Sequence, residues 1–265
     1  MTQKMCQWKA FTVILTITCL PSLIFAFQSG SPGDKNALLE KELLTAISPN
    51  KLNEGRSRRI DNSPQIQNLV SRLEECESIT RPAIDERILG RWKLLHTTNA
   101  DTASPIQRSA VDASQFQIFQ DILLRKKDAG VPQLVVSQVV KFGNKSELRV
   151  DAIASTSKYP LAELTNRKRT GKIFGINLLG VSKVGTDALE NPDKPDSRID
   201  FVFDEGNFQF GDFPRIPYPV PFRNPLFRDA VKGWIDITYL SKTMRISRGN
   251  KGTTFILVNE KVEVD

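Results

Sequence analysis

The stretch Trp234-Ile235-Asp236-Ile237-Thr238-Tyr239-Leu240 decides the fold, together with Met244-Arg245-Ile246-Ser247-Arg248-Gly249-Asn250-Lys251-Gly252 and Phe255-Ile256-Leu257-Val258 behind it. It reads as two antiparallel strands and a tight Gly/Asn turn into a third. Charged residues stand singly among apolar ones, and no catalytic cluster falls within it. This is the pattern of the closing wall of a small barrel. Such a wall suits holding apolar matter better than transforming it.

The same period of two recurs upstream. Leu89 to Thr97 is a strand with Gly90, Trp92 and Leu94 on one side. Leu134, Val136, Val140 and Phe142 alternate in a second, and Gly143-Asn144-Lys145-Ser146 turns into a third bearing Leu148, Val150 and Ala152. Ile173 to Leu178 extends another, behind the basic cluster Arg167, Lys168, Arg169 and Lys172. Ile199, Phe201 and Phe203 alternate with Arg198, Asp200 and Val202, and Asp204-Glu205-Gly206-Asn207 is expected to turn that strand toward Phe208 and Phe210. Strands joined by turn signals without intervening helices predict a mainly-β antiparallel sandwich or barrel. Leu134, Val136, Val140, Phe142, Leu148, Val150, Phe201 and Phe203 are its expected apolar lining.

Before the strands the period is helical. Ala37, Leu38, Leu39, Leu43, Leu44 and Ile47 suit an amphipathic helix that Pro49 stops. A polar, basic loop from Lys51 to Asn62 comes next. Ser63-Pro64 opens a second helix with Ile66, Leu69, Val70 and Leu73 on one face, and Pro82 ends the region. The first helix is expected to be free to rest on a lipid monolayer.

The chain begins with Lys4 and Lys9 around a short apolar run, Ala10 to Leu20, and then Ser22-Leu23-Ile24-Phe25-Ala26. This predicts a secretory signal peptide cut after Ala26. The run is short for a membrane span of ~20 residues. The expected organisation is a leader at 1–26, a transit-like segment at 27–35, a helical region at 36–82 and a barrel at 88–262.

Apolar residues make up 40% of the 265 and charged residues 25%, so disorder throughout is excluded. The net charge of +7 favours anionic surfaces, nucleic acid or acidic lipid headgroups, without choosing between them. Aromatics do not interleave with the basic cluster, which disfavours nucleic acid. Cys6 and Cys19 leave with the leader, and Cys76 alone cannot form an internal disulfide.

Catalytic signals are thin. His96 is the only histidine, so a histidine-rich metal site is excluded and a Ser-His-Asp triad would need that residue. No glycine-rich loop leads from a strand into a helix. No catalytic residue, metal or cofactor is expected. Asn144-Lys145-Ser146 fits a glycan acceptor, but a hairpin turn is preferred. The polar stretch Asp187 to Ser197 is an expected exposed loop. Phe213 to Phe222 cannot be a central strand, because its prolines lack donors. Ile216, Tyr218, Val220 and Phe222 stand between those prolines, as a loop packed over the barrel or a lipid-contacting lip.

One end of a small barrel must be plugged. Trp92 can do this under a guanidinium stacked on its ring. If no bulge intervenes, Met244, Ile246 and Arg248 share a face. Arg248 is then the expected inner partner of Trp92, with Arg245 in reserve. Tyr239 accompanies Ile235 and Ile237 inward, and Asp236 on the opposite face pairs with Arg245.

Four segments appear together in family order. They are Ala37 through Ile47, Leu89-Gly90-Arg91-Trp92-Lys93-Leu94-Leu95, Arg215-Ile216-Pro217-Tyr218-Pro219-Val220-Pro221, and Gly233 through Gly252. They resemble the plastid lipid-associated proteins, also called plastoglobulins or plastid fibrillins, over nearly all of the chain after the leader. The resemblance implies a lipocalin-like barrel at plastoglobules or thylakoids. It implies non-enzymatic binding, storage or transport of carotenoids, prenylquinones or other lipids, or a structural coat. A plastid biosynthetic enzyme is a further implied partner. Gly90, Trp92, Asp236, Tyr239 and Arg245 or Arg248 fall where the family's lipocalin-type motifs land. His96 replaces a common Tyr, and the polar insert before Ile199 is long. Phe27-Gln28-Ser29-Gly30-Ser31-Pro32-Gly33 after the cut is similar to the bipartite plastid presequences of algae with red-lineage secondary plastids.

Overall fold

The computed structural model describes residues 32–47, 63–76, 79–98, 116–126, 130, 132–143, 145–161, 193–218, 222–225, 231–250 and 252–261. The expectations for the leader, most of the transit-like segment, the basic loop at 51–62, the basic cluster, the strand at 173–178, Asn144 and Val220 lie outside these residues.

Two helices precede the strands, α1 (Pro32–Ile47) and α2 (Pro64–Glu75). Pro64 sits in the first turn of α2, where its missing N–H costs nothing. Ile66, Leu69, Val70 and Leu73 form the buried stripe. With Leu39 and Leu43 of α1 they pack against Tyr239, Met244, Ile246 and Ile256. Burying one such aliphatic side chain contributes about 2 kcal/mol. The apolar stripe of α1 is thus consumed against α2 and the strands. That corrects the expectation of a helix free to rest on a monolayer, and among the described side chains of α1 only Leu38 remains large, apolar and exposed.

Nine strands complete the described chain: β1 (Gly90–Thr97), β2 (Gln117–Arg125), β3 (Gln133–Lys141), β4 (Ser146–Ser155), β5 (Arg198–Phe210), β6 (Ile216–Pro217), β7 (Lys232–Leu240), β8 (Met244–Gly249) and β9 (Thr254–Asn259). Their order is β4-β3-β2-β1-β9-β8-β7-β5-β6, and β4 also pairs with β5. Apart from the two-residue β6, each strand is antiparallel to its chain neighbour, and β9 returns to β1. The eight long strands therefore close into an up-and-down ring, which satisfies their backbone edges. The fold is mainly β, as the alternation predicts.

β2 is absent from the sequence reading for a physical reason. It buries side chains on both faces: Ile118 and Ile122 inward, and Phe119 outward beneath Arg91 and Lys141. Two-sided burial erases the period of two.

Three register shifts also escape a strict count. Asp204-Glu205-Gly206-Asn207 is not a turn. β5 runs straight through it, and the register shifts once where Asp151 faces Glu205 and Ala152 faces Phe203. A second shift lies between Ile237 and Tyr239, and a third between Leu94 and His96. Each one reverses the face of the residues beyond it.

The ring interior is built by Trp92, Leu94, Ile118, Ile122, Leu134, Val136, Ala154, Ile199, Ile235, Ile237, Leu240 and Leu257 in one cluster. Gly233 is required here. A Cβ on it would lie 2.7 Å from the ring of Phe201, its cross-strand partner.

Candidate functional site

A short 3-10 turn, Glu86–Ile88, delivers the chain to the base of the ring. Trp92 enters there, fully buried, and its indole Nε1 donates to the carbonyl of Ile88 at 2.9 Å. The Arg245 guanidinium lies 5.0 Å from the ring centroid of Trp92. Arg245 is 0% exposed, and its Nη2 donates to Oε1 of Gln120. Among the described residues, Nε and Nη1 of Arg245 and Oγ of Ser247 meet no hydrogen-bond partner. Burial alone pushes the Arg245 guanidinium down to about 9, with no neighbouring charge to offset it.

A second Trp–Arg stack stands on the other face. The Arg198 guanidinium lies 3.8 Å from the ring centroid of Trp234. It donates from Nε and Nη2 to both carboxylate oxygens of Asp236, at 2.6 and 2.7 Å. Register sets this pair, since Arg198 faces Asp236 and Asp200 faces Trp234 across β5 and β7.

The ring also carries a path of aromatic contacts. Phe201 meets Phe203 at 5.4 Å, and Phe203 meets Phe222 at 5.8 Å. Phe222 stacks on Tyr218, which meets Phe208. Phe208 stacks on Phe210, and Phe210 reaches Phe142 and then Phe116. Tyr218 packs directly over Gly206, where a Cβ would come within 2.9 Å of it. A cleft of about 460 Å³ opens beside Tyr218 and Phe222, rimmed by Asp204, Glu205, Arg215 and Arg223. Arg223 is clamped to Asp204 at 3.0 and 2.7 Å, which raises its pKa. Beyond the cleft, Phe213 and Ile216 are 73% and 52% exposed.

The structure redistributes the expected residues. Arg245, not Arg248, lies over Trp92. Met244 and Ile246 do share a face with each other, but it is the outer one, beneath α1 and α2. The helices make that outer face apolar, so hydrophobicity no longer marks the inside. Arg248 emerges there and grips Glu74 of α2 with two hydrogen bonds, at 2.9 and 2.7 Å. Asp236 pairs with Arg198 rather than Arg245.

Tyr239 faces outward because of the shift after Ile237. Its hydroxyl donates to Glu40 of α1 at 2.7 Å, and Thr243 holds the other oxygen of Glu40. A strict alternation would put His96 on the Trp92 face, but it stands opposite Ile256 and so turns to the helix side.

Leu134, Val136, Val140, Phe142, Leu148, Val150, Phe201 and Phe203 all fall on the inner face by register or by packing. In the lip, Ile216 is exposed, Tyr218 is half-buried and Phe222 is buried in the aromatic path. Gln120, Ser247, Arg198, Phe208 and Phe210 are site residues that the sequence reading does not select. Gln120 carries a legible signal, as a lone polar residue between Ile118 and Ile122 at a period of two.

The described strands thus form a mainly β, up-and-down antiparallel ring with a Trp–Arg contact at one end and an aromatic path at the other. The chain belongs to the PAP_fibrillin family, whose profile matches residues 37–258. It is 37% identical over 212 residues to the probable plastid-lipid-associated protein 12, chloroplastic, of Arabidopsis thaliana, covering 78% of this chain and 41% of that one. It is 25% identical over 210 residues to the chromoplast-specific carotenoid-associated protein of Cucumis sativus, covering 76% and 61%. It is also 25% identical over 219 residues to the probable plastid-lipid-associated protein 2, chloroplastic, of Arabidopsis thaliana, covering 78% and 66%. The chain spans about two fifths of the first relative's length and under two thirds of the other two. No solved structure matches it significantly.

Proposed function

We propose that this protein binds, stores or carries hydrophobic isoprenoids or other lipids at plastoglobules or thylakoids, without catalysing a reaction. The observation that carries this reading is the aromatic path. It links the ring interior at Phe201 to the cleft at Tyr218 and the exposed Phe213 and Ile216. Apolar ligand surface buried along it contributes roughly 25 cal/mol per Å². The exposed apolar pair beside Arg215 suits contact with an anionic lipid surface. The family and the plastid relatives support a plastid location, reached by a cleaved leader at 1–26 and a transit segment at 27–35. A biosynthetic enzyme of the plastid is a partner consistent with a storage role.

The test is recovery of the protein from its own membrane fraction followed by mass spectrometry of extracted lipid. A prenyl lipid at near-stoichiometric amount is expected. Absence of any lipid, with Trp fluorescence unchanged by saturating carotenoid and quinone, rejects the reading.

A coat or scaffold is the second reading. It is favoured by the continuous cluster of buried apolar residues around Trp92. Tight association with lipid droplets and no lipid carried in solution would select it.

A further inference from the structure

Arg245 is a charged group placed where nothing of the described chain neutralises it. By register it shares the inner face with Leu240 and Leu257, and Ser247 shares it with Ile237 and Phe255. From the other strands this face receives Trp92 and Leu94, Ile118, Gln120 and Ile122, Leu134 and Val136, Ala152 and Ala154, and Ile199 and Phe201. None of these is a carboxylate. Nη2 is engaged by Gln120, while Nε and Nη1 flank it, each without an acceptor among the described residues. Ser247 adds a hydroxyl without a partner, buried at 1% exposure.

An uncompensated buried cation is strongly unfavourable, so it marks a place where an anion is gained. A neutral carbonyl would accept a hydrogen bond and leave the charge. A phosphate would bring a second negative charge that no other cation on this face meets. A carboxylate satisfies both the donors and the charge.

We propose that Arg245, Ser247 and Gln120 form the seat for the carboxylate of an acyl-chain amphiphile, whose hydrocarbon chain runs through the ring interior toward the aromatic path. This rests on the lipid-binding reading above and adds a head-group chemistry to it. Seat and path meet at Phe201, which packs against the same cluster as Trp92 and touches Phe203. Trp92 supplies the rigid floor, with the guanidinium held over its ring by a cation–π contact.

The test is calorimetric titration of the full chain with oleate, methyl oleate and decylubiquinone at pH 8. Oleate is expected to bind at least about tenfold tighter than either neutral lipid, the scale of a charged hydrogen bond. Arg245→Gln is expected to remove that preference, so that oleate and methyl oleate bind alike. Ser247→Ala is expected to weaken oleate alone, by about threefold, and serves if the arginine variant does not fold.

The carboxyl carbon of bound oleate, tracked by NMR, is expected to stay ionised to lower pH than that of oleate in neutral micelles. A purely structural plug would not produce this. Equal affinities for oleate and methyl oleate in the unaltered protein overturn the proposal while leaving lipid binding intact. Failure of all three lipids and of a carotenoid to bind removes the lipid-binding reading itself, and this proposal with it.

Discussion

The two Trp–Arg contacts of this ring pair the same residue types, at 3.8 and 5.0 Å, and differ in their charge. On the outer face, Arg198 over Trp234 is neutralised by both oxygens of Asp236. On the inner face, Arg245 over Trp92 has Gln120 and no carboxylate. Both arginines are buried, so exposure does not separate them. The register does: β7 presents Asp236 outward to Arg198, while inward it presents Ile235, Ile237 and Leu240. The outer stack is a completed structural joint between β5 and β7. The inner one keeps the electrostatic character of a site.

Four substitutions break or sharpen this contrast. Trp92→Ala should have the largest effect, about 4 kcal/mol of lost stability by chemical denaturation, because it removes the floor of the core and leaves a cavity. Asp236→Ala should cost about 3 kcal/mol in the same measurement, because it removes the carboxylate that accepts from both Nε and Nη2 of the buried Arg198. If the two stacks were equivalent, Arg198 would tolerate that loss as Arg245 tolerates having no carboxylate.

Arg245→Met should instead stabilise the ligand-free protein by about 1 kcal/mol, since it removes a desolvated charge from an apolar site. A pH series checks the cause. The folded protein holds this guanidinium at about 9, well below its ordinary value in an unfolded chain. Below about 9 both states carry the charge, and the fold bears its full burial cost. Above about 9 the folded protein gives up this proton first and the unfolded chain binds more protons, so stability gains an upward slope with pH. Subtracting the Arg245→Met curve from that of the unaltered protein should isolate this slope, and a flat difference would show that Arg245 is neutralised by another group.

Arg248→Ala should matter least, about 0.5 kcal/mol by thermal unfolding. Its pair with Glu74 is well aligned, but the side chain is 46% exposed and screened by water.

The legible part of the fold is where one face of an element is apolar and the other is wet. The stripe Ile66, Leu69, Val70 and Leu73 of α2 meets that condition, whereas Ile199, Phe201 and Phe203 of β5 are legible because they alternate with the polar Arg198 and Asp200, although that other face is buried too. β2 does not meet that condition, because Phe119 is buried on the outside while Ile118 and Ile122 are buried within. β8 is the instructive failure. Its alternation is intact, but α1 and α2 give it two dry faces, so Met244 and Ile246 look inward in sequence and face outward in space. Tyr239 and His96 depart from the alternation for another reason: one extra residue at a bulge reverses the face, and neither bulge carries a glycine or proline to announce it.

The sequence by itself determined the strand-rich character, the helical preface, a proline segment that cannot be a central strand, and the need for an arginine over Trp92. All of these come from local periodicity, or from a residue type whose chemistry is fixed. Which arginine fills that place was decided only by the tertiary structure. So were the partner of Asp236 and the aromatic path through Phe203, Phe222, Tyr218 and Phe208. The face of a strand is defined by what covers it. For β8 that cover comes from helices whose residues lie more than a hundred positions away in the chain.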